Sequence, residues 1–352
     1  MRILALDVGK GTQDLLLYDT NVVIENSLKM VMPSQTTIVA KRVRGATMQG
    51  RSLFLYGETM GGGPSSAAIK AHLNFGYSVY ATPLAAKTLN DDLNKVSAWG
   101  VQITDTKPQD CIQIETKDVD VRGLRSALRQ FDVKLPTVCA IACQDHGESY
   151  GSNRLFRFQH LSDLIEKGGE LTRFAYLDGK IPEYLTRLRA AYRTLKKEGM
   201  EKVLLMDTGP AAIFGALHDE VVAKRAYEPH IIVNVGNGHT LAAMLHEKRV
   251  VGMFEHHTGM LNTDKLDNLL SLFMDGNLTQ EWVFEDGGHG CYINQAGFSE
   301  INRAFKERGF RITVIGPLRE IMRESHLNPY FAVPGGDMML AGCFGLVTGF
   351  MH

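Results

Sequence analysis

Asp7-Val8-Gly9-Lys10-Gly11-Thr12-Gln13-Asp14 lies between two apolar runs, Arg2 to Leu6 and Leu15 to Tyr18. Apolar runs of this length on either side of glycines read as two strands joined by a turn. Gly9 and Gly11 let the backbone approach a ligand and point successive N–H groups at a phosphate; Thr12 adds a hydroxyl and Lys10 a charge. Asp7, at the strand end, suits a hydrated Mg²⁺. Taken alone, an Asp-x-Gly turn is more often an ordinary hairpin.

A second element of the same kind changes that balance. Ile231-Ile232-Val233-Asn234-Val235-Gly236-Asn237-Gly238-His239-Thr240-Leu241 again runs from apolar strand through a small polar residue and a glycine-rich turn to another apolar strand. Two such hairpins in opposite halves of a chain suggest a nucleotide clamped between two domains. Three further elements lie beside them. Asp207 to Leu217 is a polar strand end followed by a helix of small residues, suited to a close crossing between domains. Ile312 to Glu320 reads as strand, Gly316 turn and a helix beginning at Pro317. Pro334 to Gly345 is a turn through Gly335 and Gly336 into another small-residue helix.

In that order the five elements resemble the motifs of the actin-like ATPase superfamily, which includes hexokinases, acetate and sugar kinases, heat-shock-cognate chaperones and 2-hydroxyacyl-CoA dehydratase activases. The resemblance implies an α/β fold of two actin-like (ribonuclease H-like) domains with ATP in the cleft between them. It assigns nucleotide contact to Gly9, Lys10, Gly11, Thr12 and Gln13, to Gly236, Asn237, Gly238, His239 and Thr240, and to Gly316, Gly335 and Gly336. Asp7 and Asp207 are the expected residues around Mg²⁺. The sequence departs from the superfamily pattern at Asn234, where an Asp is usual, and at Gly316-Pro317, where Gly-Gly is usual.

The acceptor side is marked by Gln144-Asp145-His146-Gly147 at the end of the predicted strand Thr137 to Ala142. It is similar to the Gln-Met-His-Gly stretch by which xylulokinase-type kinases reach their substrate. A carboxylate next to an imidazole can take a proton from a hydroxyl, so Asp145 and His146 are the candidate catalytic pair together with Asp7. Capping of the next turn by Asp145 and His146 is the competing structural role. Glu255-His256-His257 and Glu285 to Gly290, which includes His289, are placed to line the interdomain cleft; neither has a recognised zinc spacing, so surface or structural roles are the expectation and metal binding the lesser alternative. Gly61-Gly62-Gly63 before a helix is an anion or substrate loop or a flexible cap.

The chain also resembles a prokaryotic family, common in archaea, whose members are sometimes labelled pyruvate formate-lyase activating proteins. That label implies a radical reaction on an iron–sulfur cluster held by Cys-x3-Cys-x2-Cys. Here Cys139 and Cys143 are followed by His146, and a strand would hold the two cysteines about 13 Å apart, so the radical reading is rejected.

Bulk properties fit this picture. The 352 residues exceed what one core usually serves. Lys plus Arg number 38 against 39 Asp plus Glu, which gives no electrostatic reason for nucleic acid or an anionic membrane as partner. Five cysteines without framework spacing, and no apolar run able to span a bilayer or head a signal peptide, point to a cytoplasmic protein. The expected first domain covers residues 1–210, with a helical insertion near 57–129 and the helix 337–352 returning to it. The second covers 211–336. Helices are expected at Pro182 to Glu198, where Leu185, Leu188, Tyr192 and Leu195 share a face, and at Lys265 to Met274, Ser299 to Glu307 and Pro317 to Glu324. The expected function is an ATP-dependent kinase of a small hydroxyl or carboxylate metabolite. The alternative is an ATPase, activase-like or chaperone-like, whose domain closure acts on a protein partner, with a homodimer left open.

Overall fold

The computed structural model describes residues 1–149, 151–308 and 311–352. The chain begins with an antiparallel meander, β1 (Arg2–Val8), β2 (Thr12–Asp19) and β3 (Leu28–Pro33). It then leaves for a separate layer holding β4 (Leu53–Gly57), β5 (Val79–Ala81), β6 (Val101–Ile103) and β7 (Ile112–Thr116). It returns with β8 (Val138–Cys143), β9 (Ala175–Leu177) and β10 (Lys202–Met206) to complete a first sheet in the order β3-β2-β1-β8-β10-β9. β8 runs parallel to β1, and β10 parallel to β8. Both faces of β1 are apolar. Ile3 and Ala5 enter one core, while Leu4, Leu6 and Val8 enter another, as a central strand of a covered sheet requires.

The second half repeats this plan. β11 (His230–Val235), β12 (His239–His246) and β13 (Arg249–His257) form the meander. β14 (Gly290–Ile293), β15 (Arg311–Ile315) and β16 (Tyr330–Phe331) complete the order β14-β13-β12-β11-β15-β16. Apart from the extra strands β9 and β14 at opposite edges, each sheet reads 3-2-1-4-5 along its half of the chain. In each, the second strand is antiparallel to the first and the fourth parallel to it. That is the ribonuclease H-like order, present twice, and it gives the chain its two-domain actin-like architecture.

Between the sheets lie the helices Thr208–Ala216 and Ala341–Met351, which cross in direct backbone contact. A Cβ on Gly215 would sit 1.6 Å from the Ala341 carbonyl oxygen, and one on Gly345 would sit 1.9 Å from that of Ala211. The small residues of both helices are what allow this crossing. The final helix lies against β1 and β8 of the first sheet.

Two expectations need correction. The insertion is not helical alone: besides the helices Gly63–Asn74, Leu93–Ala98 and Val121–Arg129 it carries a four-stranded parallel sheet of β4 to β7, order β6-β5-β4-β7, with its own apolar core. Its strands β5 and β6 have three residues each, too few to show an alternating pattern. The helix expected at Pro317 to Glu324 is only a 3₁₀ turn, Arg319–Met322. The Leu318 N–H donates to the Val235 carbonyl at 3.0 Å, so the chain after Gly316 is tied to β11 before a helix can start.

Candidate active site

The two glycine turns are superimposable in their bonding. In the first, the Gly9 N–H donates to the Thr12 carbonyl at 2.9 Å; in the second, the Gly236 N–H donates to the His239 carbonyl at 3.0 Å. Cross-strand pairs match as well, Val8 with Gln13 and Val235 with Thr240. The turns face each other closely. A Cβ on Gly11 would come to 3.3 Å from Asn237 Nδ2, and the Lys10 side chain lies over Gly238.

Between them opens a cavity of about 590 Å³, lined by both turns, by Gly61 to Gly63 and Lys87 to Asp91 of the insertion, and by Gln144 to Gly147. Gly316, Pro317, Met338 and Met339 complete an apolar end. At the other side of the first turn, Asp7 and Asp14 are buried neighbours across β1 and β2. Burial pushes the Asp7 carboxyl up to about 7, opposed by a hydrogen bond from the Thr208 hydroxyl and reinforced by the charge of Asp207. Burial, and then the charge of Asp7, push Asp14 up to about 8. Asp14 Oδ1 has no hydrogen-bond partner, and among the described residues neither carboxylate enters an ion pair. Gly342 packs directly on Asp7, where a Cβ would lie 1.9 Å from Oδ2. Two buried carboxylates short of positive partners are oxygen donors of the kind a hard cation takes.

A buried layer of ionic groups lies at the opposite wall. Arg157, from the helix Asn153–Glu166, holds Asp207 through both terminal nitrogens and Glu255 Oε2 through Nε at 2.8 Å. Burial opposes its charge, but the two carboxylates hold the guanidinium firmly protonated. Glu255 also accepts from Gln144 Nε2 at 2.7 Å. Because Glu255 lies on β13 and Arg157 and Gln144 belong to the first half, these bonds clamp the two halves together. Arg154 adds another clamp, donating to the Gly288 carbonyl at 2.7 Å. Arg187 pairs with Asp118 through Nε and Nη2 and donates to the Gln144 carbonyl, which fixes the Gln144 to Gly147 loop from behind.

Asp145 lines the cavity and accepts from two backbone N–H groups, Gly147 and Leu188, each at 2.9 Å. Leu188 belongs to the first turn of the helix Thr186–Lys197, so Asp145 caps a helix whose own N-terminal residue, Leu185, has no capping side chain. This helix starts later than the Pro182 expected from sequence because the cap comes from β8's end. Burial pushes Asp145 up to about 6 against those two hydrogen bonds.

Histidines converge beside it. His146, His239 and His289 each bring a ring nitrogen within 4.8 Å of the other two, and His146 Nε2 stands 3.2 Å from His289 Nε2. The His257 ring centroid lies 4.9 Å from those of both His239 and His289. Desolvation lowers His146 to about 3 and His239 to about 4, so all remain neutral imidazoles at neutral pH.

Of the residues expected at the nucleotide, Gly9, Lys10, Thr12, Gly236, Asn237, Gly238, His239 and Gly316 line the cavity, as do Asp7, Asp145 and His146. Gln13 and Thr240 do not: both are buried in the hairpins, Gln13 donating to the Pro33 carbonyl and Thr240 paired with Thr258. Gly11 stands behind the lining, against Asn237. Gly335 and Gly336 are also outside it. They form a turn of positive φ packed by Phe344 at Gly335, and the lining passes instead through Met338, Met339, Ala341 and Gly342. Asp207 is corrected most. Its oxygens accept from Arg157, the Gly209 N–H and the Asp145 N–H, so it is an ion-pair anchor and not a carboxylate free for a metal. Asp14, within the opening motif, is the carboxylate beside Asp7. The five cysteines are all buried and free, with Cys139 and Cys143 inside the core on β8.

Among solved structures the chain is similar to ethanolamine utilization protein EutJ from Carboxydothermus hydrogenoformans, at 12% identity over 98% of this chain and 89% of that one, TM-score 0.40. MreB 5 of Spiroplasma citri bound to AMPPNP is similar at 10% identity over 99% and 95%, TM-score 0.36. ROK hexokinase from Thermus thermophilus is similar at 12% identity over 100% and 98%, TM-score 0.35. Likeness at these values adds nothing to the strand order, on which the fold assignment stands. No curated protein matches the chain. Among the described residues no helix is long and apolar enough to cross a membrane. Residues 60–321 match the model of the family described as "Putative pyruvate format-lyase activating enzyme (DUF1786)", and the chain belongs to that family.

Proposed function

We propose that the cleft binds ATP with Mg²⁺ and transfers its γ-phosphoryl group to a small hydroxyl or carboxylate compound. The observation that carries this reading is the pair of identically bonded glycine turns facing each other across one cavity. The turns present backbone N–H groups and Lys10 to phosphates, and Gly316, Pro317, Met338 and Met339 offer an apolar seat for a base. Asp7 and Asp14 are the residues that would hold Mg²⁺, since both are buried carboxylates without ion-pair partners. When bound, that ion supplies charge neutralisation to the phosphates. Across the cavity, Asp145 is the acceptor-side base. It is pushed up to about 6 and fixed by two N–H donors, and each of its oxygens keeps a lone pair for an acceptor hydroxyl. Lys87, Asn90 and Asp91 from the insertion sheet form the remaining wall for the acceptor.

The purified chain with ATP and Mg²⁺, screened against pooled metabolites for phosphoryl transfer, tests this. At least one acceptor should be phosphorylated, and Asp145→Asn should lower that rate by roughly 10²–10⁴. ATP hydrolysis without any acceptor, stimulated by a protein partner, would favour the closure-driven ATPase instead. That reading asks the halves to hinge, and the Gln144, Arg157 and Arg154 clamps oppose it.

A further inference from the structure

We propose that His146, His239 and His289 form a binding site for one divalent transition-metal ion of the zinc class, at the acceptor end of the cavity. The three side chains come from different elements: the loop after β8, the first residue of β12, and the residue before β14. Their ring nitrogens nonetheless all fall within 4.8 Å of one another. Zinc–nitrogen bonds of about 2.0–2.1 Å in a tetrahedral site place ligand nitrogens about 3.3 Å apart. His146 Nε2 and His289 Nε2 are already 3.2 Å apart.

A second observation points the same way. His289 is fully buried, its Nδ1 has no hydrogen-bond partner, and its Nε2 faces only another imidazole nitrogen. Two facing imidazole nitrogens share at most one proton, and a cation between the rings would take the lone pair of each, leaving His289 Nδ1, which diverges from that place, as the ring's N–H. Imidazole donors select zinc, cobalt or iron over Mg²⁺, which takes oxygen. The site is therefore chemically distinct from the carboxylate pair Asp7 and Asp14. His146 and His239 line the cavity, as do Glu255 and His257 beside them. Three protein nitrogens with a side open to a cavity is the arrangement of a catalytic ion that keeps a position for water or substrate, not of a closed structural one. The nearby charge of Arg157 is matched by Asp207 and Glu255. The inference does not depend on nucleotide binding.

The full chain, stripped with a chelator and dialysed, would be titrated with Co²⁺ and Zn²⁺. One equivalent of Co²⁺ should give the intense visible absorption of a tetrahedral nitrogen site, and Zn²⁺ should displace it. His239→Gln, at a half-buried position, and His289→Ala should each weaken binding by more than the roughly 10–100-fold that outer-shell changes cost. His246→Gln, at the far end of β12, should leave it unchanged. Circular dichroism of each metal-free variant establishes that it is folded, and His239→Gln carries the test if His289→Ala is not. Absence of a stoichiometric Co²⁺ signal, or a signal that survives His239→Gln, would overturn the proposal.

Discussion

The first and second glycine turns share backbone, register and closing hydrogen bond, yet almost no side-chain chemistry. Position by position, Asp7, Lys10, Thr12 and Asp14 on one side correspond to Asn234, Asn237, His239 and Leu241 on the other. On the proposed reading the common frame is a phosphate cradle, which needs only N–H groups and glycines. What differs is what each turn adds. The first brings two buried carboxylates and a cation; the second brings amides and an imidazole that joins the histidine cluster. The frame is repeated, and the difference between the halves lies in the side chains placed upon it.

The largest expected effect comes from breaking the link between the halves. Arg157→Met leaves Asp207 and Glu255 buried together without their cation, and should cost on the order of 3–5 kcal/mol in denaturant unfolding. Next, Asp7→Asn copies into the first turn the residue that the second already has. In the transfer assay it should lower turnover on the order of 10²–10³, the scale of one electrostatic group at a reacting phosphate. If turnover is unchanged, the two turns are equivalent and the division of labour is wrong.

The same substitution should act in the opposite direction on the stability of the ligand-free protein. Asp7 and Asp14 have folded values of about 7 and about 8, above their ordinary 3.8. Between about pH 4 and pH 8 the native protein therefore holds protons that the unfolded chain has released, and stability falls as pH rises through that window. Asp7→Asn and Asp14→Asn lose this fall. Each should be more stable than the parent at pH 8 by about 1–3 kcal/mol, with the gain vanishing near pH 4, as measured by melting temperature against pH. The smallest effect is expected at Gly238→Ala, whose Cβ meets only the flexible Lys10 stem at 3.2 Å. It should cost less than about 1 kcal/mol in stability and weaken nucleotide binding less than tenfold, through displacement of Lys10.

The contrast between the turns also marks how far the sequence could be read. Both hairpins, the Asp207 and Gly342 helices and the Gly316 turn were legible because each carries its own local signal: glycine spacing, apolar flanks, runs of small residues. The histidine cluster was not, because its three members are far apart in sequence and converge only when β8, β12 and β14 come together. Gly288-His289-Gly290 ahead of β14 was the one local trace, a histidine held between glycines at a strand's start. Arg157 carries a clearer local signal. It occupies the buried stripe of its helix with Phe158, Leu161 and Ile165, and a charge on such a stripe needs a buried partner. The pairing of Asp207 is hidden from the motifs in the same way, since its partner Arg157 lies on a helix they do not include. The insertion sheet stayed hidden because two of its four strands, β5 and β6, have three residues and leave no periodicity to see.

The central claim is that the paired turns hold a nucleotide, with the carboxylates of only the first serving its cation. Isothermal titration of the full chain with a non-hydrolysable ATP analogue, with and without Mg²⁺, tests it most directly. Wild-type protein should bind one equivalent, more tightly with Mg²⁺, and Asp7→Ala should lose the Mg²⁺ dependence. No measurable binding by the wild type, or a Mg²⁺ effect that persists in Asp7→Ala, would contradict the account.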